Sequence, residues 1–135
     1  MTGPWSAAQV AAELAHPACR GLGAERDGRL RGFALLRLFA PECELMRIVV
    51  DPAARRRGLA AGLLQSAFAE LAAAGCETCF LEVRAGNAPA LALYAVLGFA
   101  RDGLRKNYYE NPVEDALLLH KNLLQTQGDH HEQSA

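Results

Sequence analysis

The sequence predicts one α/β domain built around a mixed, mostly antiparallel β-sheet with helices on both faces. The chain has 135 residues, of which 51% are hydrophobic, and this suits a single domain with its own core. Apolar runs of strand length come first and are separated by short turn sequences. Further along, such runs alternate with helical patterns, which is typical of strand–helix–strand units.

The first half of the chain is expected to hold one helix and three strands joined by short turns. Ser6 is a good N-cap for an alanine-rich helix that His16-Pro17 would end. Asp27-Gly28 has the composition of a tight hairpin turn, so the strands on either side of it should be antiparallel. The expected elements are a helix at 7–15 and strands at 20–26, 30–39 and 43–50.

The helix expected over about 56–74 is the clearest element. Its leucines and Phe68 recur at helical spacing and form one apolar face, and Gly75 is a typical residue for its C-terminal end. Together with the strands before and after it, this helix should form a parallel, right-handed crossover. The remaining expected elements are a strand at 78–83, a helix at 87–97 and strands at 104–109 and 115–121.

Composition gives no reason to expect a nucleic-acid or membrane partner. The formal net charge is −1, and no apolar run approaches the length of a membrane span. The first residues lack the basic and apolar regions of a signal peptide, so the cytoplasm is the expected location. We expect one domain over residues 1–124, followed by a polar, disordered tail at 125–135.

The four cysteines are expected to be reduced thiols. Cys76 and Cys79 have the C-x-x-C spacing of zinc and redox sites, but Cys19 and Cys43 are isolated and do not supply the second pair that a zinc site needs. Cys79 also opens an apolar strand, where a free cysteine acts as a small hydrophobic residue. No metal site is therefore expected.

The stretch VVDPAARRRGLA, residues 49–60, is the strongest functional signal. A strand ends at Asp51-Pro52, three arginines follow, and Gly58 stands near the start of the long helix. The free N–H groups and the positive dipole of a helix start bind anions, and glycine lets the backbone approach a ligand closely. The pattern is neither a P-loop nor a dinucleotide fingerprint. The tight succession of strand and turn favours a phosphate-binding turn over a solvated basic turn.

Glu82 is an ionisable residue inside an apolar strand, near the C-terminal end of that strand. Burial of a carboxylate costs free energy unless the group has a partner or its pKa rises, and a carboxyl with a raised pKa suits a general base for an amine. Ligands gather at the carboxyl ends of strands in open α/β sheets, which makes Glu82 a candidate base. The alternative is a solvated residue, or one paired with a nearby arginine such as Arg84.

Asn87 and Tyr94 are seven residues apart, which places them on one face of the expected helix. Asn87 is a suitable N-cap, whatever further role it has. Tyr94 is either a core aromatic residue or a phenol that donates a proton to a leaving group. Tyr108 follows a basic run near the end of a strand, and it belongs either to an amphipathic edge strand or to a substrate-binding surface.

Together, these residues closely resemble the GNAT superfamily of acetyl-coenzyme A-dependent N-acetyltransferases. Arg55, Gly58 and Ala60 match the family signature Q/R-x-x-G-x-G/A. The segments LEVRAGNAPALALYAVLGF, RKNYY and EDA, with the early PWS, resemble the branch that acetylates the N-terminal alanine of a small-subunit ribosomal protein. The resemblance covers nearly the whole chain and implies an acyl-CoA N-acyltransferase fold.

The resemblance also implies a role for each candidate residue. Glu82 would accept a proton from the amine, Tyr94 would donate one to the departing thiolate, and no metal would be needed. Asn87 would contact coenzyme A. The other implied contacts with acetyl-CoA are the strand residues Ile48, Val49 and Val50 and the turn residues Arg55, Arg56, Arg57, Gly58, Leu59, Ala60 and Ala61.

The resemblance implies a protein N-terminus as the acceptor, such as that of a ribosomal protein. Relatives carry a further strand and helix before the position of Pro4-Trp5, so either the start of the chain is misassigned or the N-terminal part of the fold is shortened. Two alternatives stay open at this point. Either the same catalyst acts on a small-molecule or lysine amine, or the chain is an acyl-CoA-binding module without turnover.

Overall fold

The computed structural model describes residues 7–52 and 58–124, and the expected order of elements is confirmed there. The clearest difference is the start of β5, which lies four residues earlier than expected because Ala100 already pairs with His120 of β6. The expected tail at 125–135 lies outside the described residues. The elements are α1 Ala7–Leu14, β1 Cys19–Arg26, β2 Arg29–Phe39, β3 Glu42–Val50, α2 Leu59–Ala73, β4 Thr78–Arg84, α3 Ala88–Val96, β5 Ala100–Tyr109 and β6 Glu114–Asn122.

The six strands of the described residues form one sheet in the order β1-β2-β3-β4-β6-β5. Four of the five strand pairings are antiparallel, and β3 pairs with β4 in parallel. The mixed, mostly antiparallel sheet and the β3–α2–β4 crossover are thus confirmed. Asp27 and Gly28 have φ angles of 58° and 72°, as the tight hairpin turn between β1 and β2 requires.

One face of the sheet packs against α2 and α3 and forms the core. The predicted apolar face of α2 is buried, and Tyr94 and Leu97 reach the same core from α3 and its C-terminal end. Each fully buried leucine contributes about 1.5–3 kcal/mol through removal of apolar surface from water. The leucines of this core that are least exposed are Leu36, Leu64 and Leu71.

The opposite face of the sheet carries α1, which confirms that helices lie on both faces. A Cβ atom placed on Gly21 would lie 3.1 Å from Leu14 of α1 and 3.5 Å from Leu35 of β2. Glu13 is 6% exposed, and both of its carboxylate oxygens accept hydrogen bonds from Arg37, at 2.7 and 2.8 Å. A bidentate pair of this kind fixes α1 on the sheet.

All four cysteines are free, as expected, and Cys43, Cys76 and Cys79 are buried in the core. Over residues 7–52 and 58–124, no three His, Cys, Asp or Glu side chains converge as they would around a metal ion. No helix in that part of the chain is both long enough and apolar enough to cross a membrane.

Candidate active site

The candidate active site is a gap between two parallel strands at the centre of the sheet. β3 and β4 pair over only three residues, from Glu42 opposite Thr78 to Glu44 opposite Phe80. Beyond that point both strands continue, β3 to Val50, without further pairing to each other. Over residues 45–48 the backbone N–H and C=O groups on this side of β3 are not used in pairing with β4, so a ligand can approach them.

A change of register in β3 accompanies the gap. Leu35 of β2 pairs with Arg47 and Leu36 pairs with Leu45, which leaves Met46 as an extra residue. Bulges of this type bend a strand, increase its twist and are frequent beside active sites. We attribute the divergence of β3 from β4 to this bend.

A pocket of about 380 Å³ occupies the gap and is lined by residues 45–48 of β3 and 81–84 of β4. Asn87, Ala90, Tyr94 and Tyr109 complete its wall, so the pocket brings together the candidates Glu82, Asn87 and Tyr94. Among the expected strand contacts, Ile48 lines the pocket. Val49 and Val50 lie further along β3, where they pair with Phe33 and Gly32 of β2.

The start of α2 has the geometry expected of an anion-binding turn. Gly58 is the N-cap, with φ 72° and ψ 17°, a left-handed conformation that favours glycine. Its carbonyl accepts the Gly62 N–H at 3.0 Å, so the N–H groups of Leu59, Ala60 and Ala61 precede the first intrahelical bond. These donors and the helix dipole make this end of α2 positive.

The three arginines that precede Gly58 cannot be compared with the structure. The expected cofactor contacts Arg55, Arg56 and Arg57 lie outside the described residues, so their part in anion binding stays a prediction.

Asn87 caps α3, as expected, and lies at the pocket. Its Oδ1 accepts the N–H of Ala90 at 3.2 Å. The cap uses the amide oxygen, so the amide NH₂ group of the same side chain is a donor that the cap does not use. One residue can therefore both begin the helix and contact a ligand.

Tyr94 is both a core residue and a pocket residue, so its two interpretations are compatible. Its side chain is 7% exposed, and the ring centroid lies 5.5 Å from that of Phe99. Burial raises the pKa of Tyr94 to about 12, which keeps the phenol protonated at neutral pH. A proton donor has to be in this state before reaction.

Glu82 is a partly exposed carboxylate with partners, rather than an isolated buried one. Its side chain is 27% exposed, and its Oε2 lies 3.9 Å from Nε of Arg105. Tyr108 interacts with Glu82, whose hydrogen bonding and negative charge raise the pKa of Tyr108. Arg84, in contrast, forms an ion pair with Glu114 at 3.0 Å.

Glu44, near Glu82, and Arg47, at the pocket, are two charged residues that the sequence analysis did not single out. Glu44 pairs with Arg37 across β2 and β3, and burial together with the charge of Glu82 raises its pKa. Arg47 lines the pocket. Both are charged residues inside the largely apolar strand ECELMRIVV, which is the same signal that marked Glu82.

Arg84 holds the connection between β5 and β6 against the pocket. Its guanidinium donates to the carbonyls of Glu110 and Pro112, each at 3.1 Å, and lies 4.4 Å from the ring centroid of Tyr109. Glu114 accepts from the same guanidinium and from the N–H of Gly86. These contacts fix Tyr109 as one wall of the pocket.

Comparison with known proteins identifies the family. The sequence model described as the acetyltransferase (GNAT) family matches residues 1–99. The chain belongs to the GNAT family. A GNAT relative, the ribosomal protein bS18-alanine N-acetyltransferase of Salmonella typhimurium, is 43% identical over 95 residues, which are 69% of this chain and 64% of that protein. The alignments span 64–65% of the length of the first curated GNAT relatives.

Solved GNAT structures agree with this assignment. The ribosomal-protein-S18-alanine N-acetyltransferase of Escherichia coli superposes with a TM-score of 0.82 and 35% sequence identity, over 90% of this chain and 79% of that one. A streptothricin acetyltransferase of Bacillus anthracis, solved in complex with acetyl coenzyme A and described as putative, has a TM-score of 0.72. It is 22% identical over 80% of this chain and 64% of that one, and this similarity shows the fold alone.

Proposed function

We propose that this chain transfers the acetyl group of acetyl-CoA to the N-terminal α-amino group of a protein. The observation that carries the proposal is the pocket between β3 and β4, which is lined by Glu82, Asn87 and Tyr94. The names of the Salmonella and E. coli relatives support a ribosomal protein with an N-terminal alanine as the acceptor. The cytoplasm, where ribosomal proteins are made, is the proposed location.

The residues present fit acetyl-CoA, which supplies the acetyl group as a thioester. The start of α2 would hold the pyrophosphate through backbone N–H groups, with Gly58 allowing close approach. The edge of β3 over residues 45–48, which no longer pairs with β4, would hold the acetyl and pantetheine part, and the NH₂ group of Asn87 would contact the same ligand. The roles of Val49, Val50 and Arg55–Arg57 as further contacts belong to this proposal.

Glu82 is the proposed general base. An α-amino group has a pKa near 8, so a large part of it is protonated at neutral pH and has to lose a proton before it attacks. Glu82 lines the pocket and is partly exposed, so it can accept that proton directly or through a water molecule. Tyr108, which interacts with Glu82, would contact the acceptor.

Tyr94 is the proposed general acid. Its buried phenol is protonated at neutral pH and lies at the pocket wall, where it can donate its proton to the departing sulfur. The β3 N–H groups that face the gap would stabilise the negative charge that develops on the carbonyl oxygen. The residues of this chain thus provide a base, an acid and an oxyanion site at one cavity.

A thiol-release assay with acetyl-CoA tests the proposal. The acceptors are a peptide that begins with alanine, the same peptide with a blocked N-terminus, a blocked peptide that contains lysine, and a small primary amine. We expect turnover with the first peptide and none when its N-terminus is blocked. Preference for the lysine peptide or the small amine would reassign the acceptor. Tight binding of acetyl-CoA without turnover of any amine would make the chain a binding module.

The two ends of α2 offer a matched test of the proposed anion site. Gly58 and Gly75 both have positive φ, 72° and 100°, and a Cβ atom at either would have no atom within 4 Å. Each change to alanine should therefore destabilise the fold by about 1 kcal/mol through backbone strain alone. We expect Gly58→Ala to weaken coenzyme A binding severalfold in calorimetry and Gly75→Ala to leave it unchanged. Equal affinities would refute the site.

A further inference from the structure

Arg47 is a pocket residue that the proposed mechanism does not use. It directly follows the extra residue Met46 and lines the same pocket as Tyr94. Its Nε atom is buried and has no hydrogen-bond partner among residues 7–52 and 58–124. A buried donor without a partner costs about 1–3 kcal/mol, so such a group requires an explanation.

The Arg47 side chain also carries a charge into the pocket. Burial lowers the pKa of Arg47, yet a guanidinium keeps its proton at neutral pH. A positive charge that has lost much of its hydration acts strongly on neighbouring groups, because the medium around it screens less than water does.

Tyr94 is the group on which this charge acts. Arg47 favours the ionised form of Tyr94 and lowers its pKa, in opposition to the larger effect of burial. Cys79 of β4 and Tyr109 of β5 also face Tyr94, and their effect raises its pKa. Of these three neighbours, Arg47 is the one that stabilises negative charge on the phenol.

We propose that Arg47 is a positioning residue for Tyr94, whose phenolate it stabilises once Tyr94 has given its proton to the departing sulfur. The proposal rests on the acetyl-transfer function proposed above. In that step the neutral amine, whose first proton Glu82 has already passed to water, bonds through nitrogen to the carbonyl carbon and loses a second proton to Glu82. The carbon–sulfur bond breaks with its electron pair on sulfur, and the Tyr94 proton moves to that sulfur. The phenolate remains beside Arg47 until water returns a proton.

A first test measures the electrostatic interaction between Arg47 and Tyr94 in the absence of acetyl-CoA and of turnover. Site-specific incorporation places 3,5-difluorotyrosine at position 94, because its phenol is more acidic than that of tyrosine and titrates where the fold is stable. We expect Arg47→Gln to move the absorbance titration upward by about one pH unit, and Arg47→Lys to restore most of the shift. Arg101→Gln, an exposed arginine on β5, is the control and should change nothing. An unmoved titration in Arg47→Gln overturns the proposal.

A second test uses a double-mutant cycle in kcat. We expect Arg47→Gln to lower kcat about tenfold in the parent, to have little effect in the Tyr94→Phe background, and to be partly rescued by lysine. If Arg47→Gln lowers kcat equally in both backgrounds, or raises the KM for the acceptor at unchanged kcat, Arg47 does not act through Tyr94. If no amine is acetylated at all, the proposed function fails, whereas the titration still decides whether Arg47 acts on Tyr94.

Discussion

Glu13 and Glu82 are carboxylates on the same face of the sheet, yet they pair with arginine in different ways. Glu13 of α1 is almost fully buried and makes two short hydrogen bonds to Arg37. Glu82 of β4 is partly exposed, and its ion pair with Arg105 is 3.9 Å long. Glu44 lies between them and interacts with both carboxylates and both arginines.

The difference in burial and ion-pair length distinguishes Glu13, a structural carboxylate, from Glu82, a carboxylate suited to proton transfer. Arg37 lowers the pKa of Glu13, and Glu13 raises that of Arg37, so this pair keeps its charges in the folded state. A long, solvent-accessible pair is weak and its members can move apart at little cost. These charged residues therefore have two roles. Glu13 and Arg37 fix α1 on the sheet, whereas Glu82 remains an accessible carboxylate at the pocket.

Glu82→Gln should have the largest effect on activity. Loss of a general base lowers kcat by about 10²–10⁴-fold, while the unfolding free energy should change by less than about 0.5 kcal/mol because the side chain is partly exposed. Thiol-release kinetics and calorimetry with coenzyme A measure the two effects. Glu25→Gln, an exposed carboxylate on β1, is the matched control. Full activity in Glu82→Gln would remove Glu82 as the base.

Tyr94→Phe should have the next largest effect. The ring that packs near Phe99 is kept, so the fold should be retained, and the lost phenol should lower kcat by about 10²-fold without weakening cofactor binding. Steady-state kinetics and coenzyme A titration would check both parts. Unchanged kcat would return Tyr94 to a purely structural role in the core.

Glu13→Gln should affect stability and leave kcat unchanged. Removal of the buried carboxylate's charge should lower the unfolding free energy by about 1–3 kcal/mol in chemical denaturation. Arg37→Gln should cost a similar amount. A loss of kcat at full stability would contradict the separation of the two carboxylates.

The stability provided by Glu13 should also depend on pH. Because the pKa of Glu13 in the folded protein lies below its usual value of 4.5, the contribution is present above that value and is lost as pH falls through the folded pKa. The stability difference between the parent and Glu13→Gln should therefore shrink in acid. If this stability difference instead stays constant from about pH 6 to about pH 3, the Glu13–Arg37 pair is not its source.

Local sequence patterns were sufficient to predict the helices, the strands and part of the candidate site. The turn at Asp27-Gly28, the buried face of α2 and the cap at Asn87 each depend on residues close together in sequence, and all three are present. The start of β5 was expected too late because ARDG has little apolar character, and its strand conformation comes from pairing with β6. Propensity is a weak guide where a neighbouring strand supplies the hydrogen bonds.

The sequence alone determined the fold class, the apolar face of α2 and the helical spacing of Asn87 and Tyr94, because these follow from short-range geometry. Only the tertiary structure decided which charges meet. The partner of Glu82 is 23 residues away on β5, and the orphaned Nε of Arg47 depends on where β3 leaves β4. Strand order and the position of a bulge bring distant residues together, and neither is encoded in the local spacing of side chains.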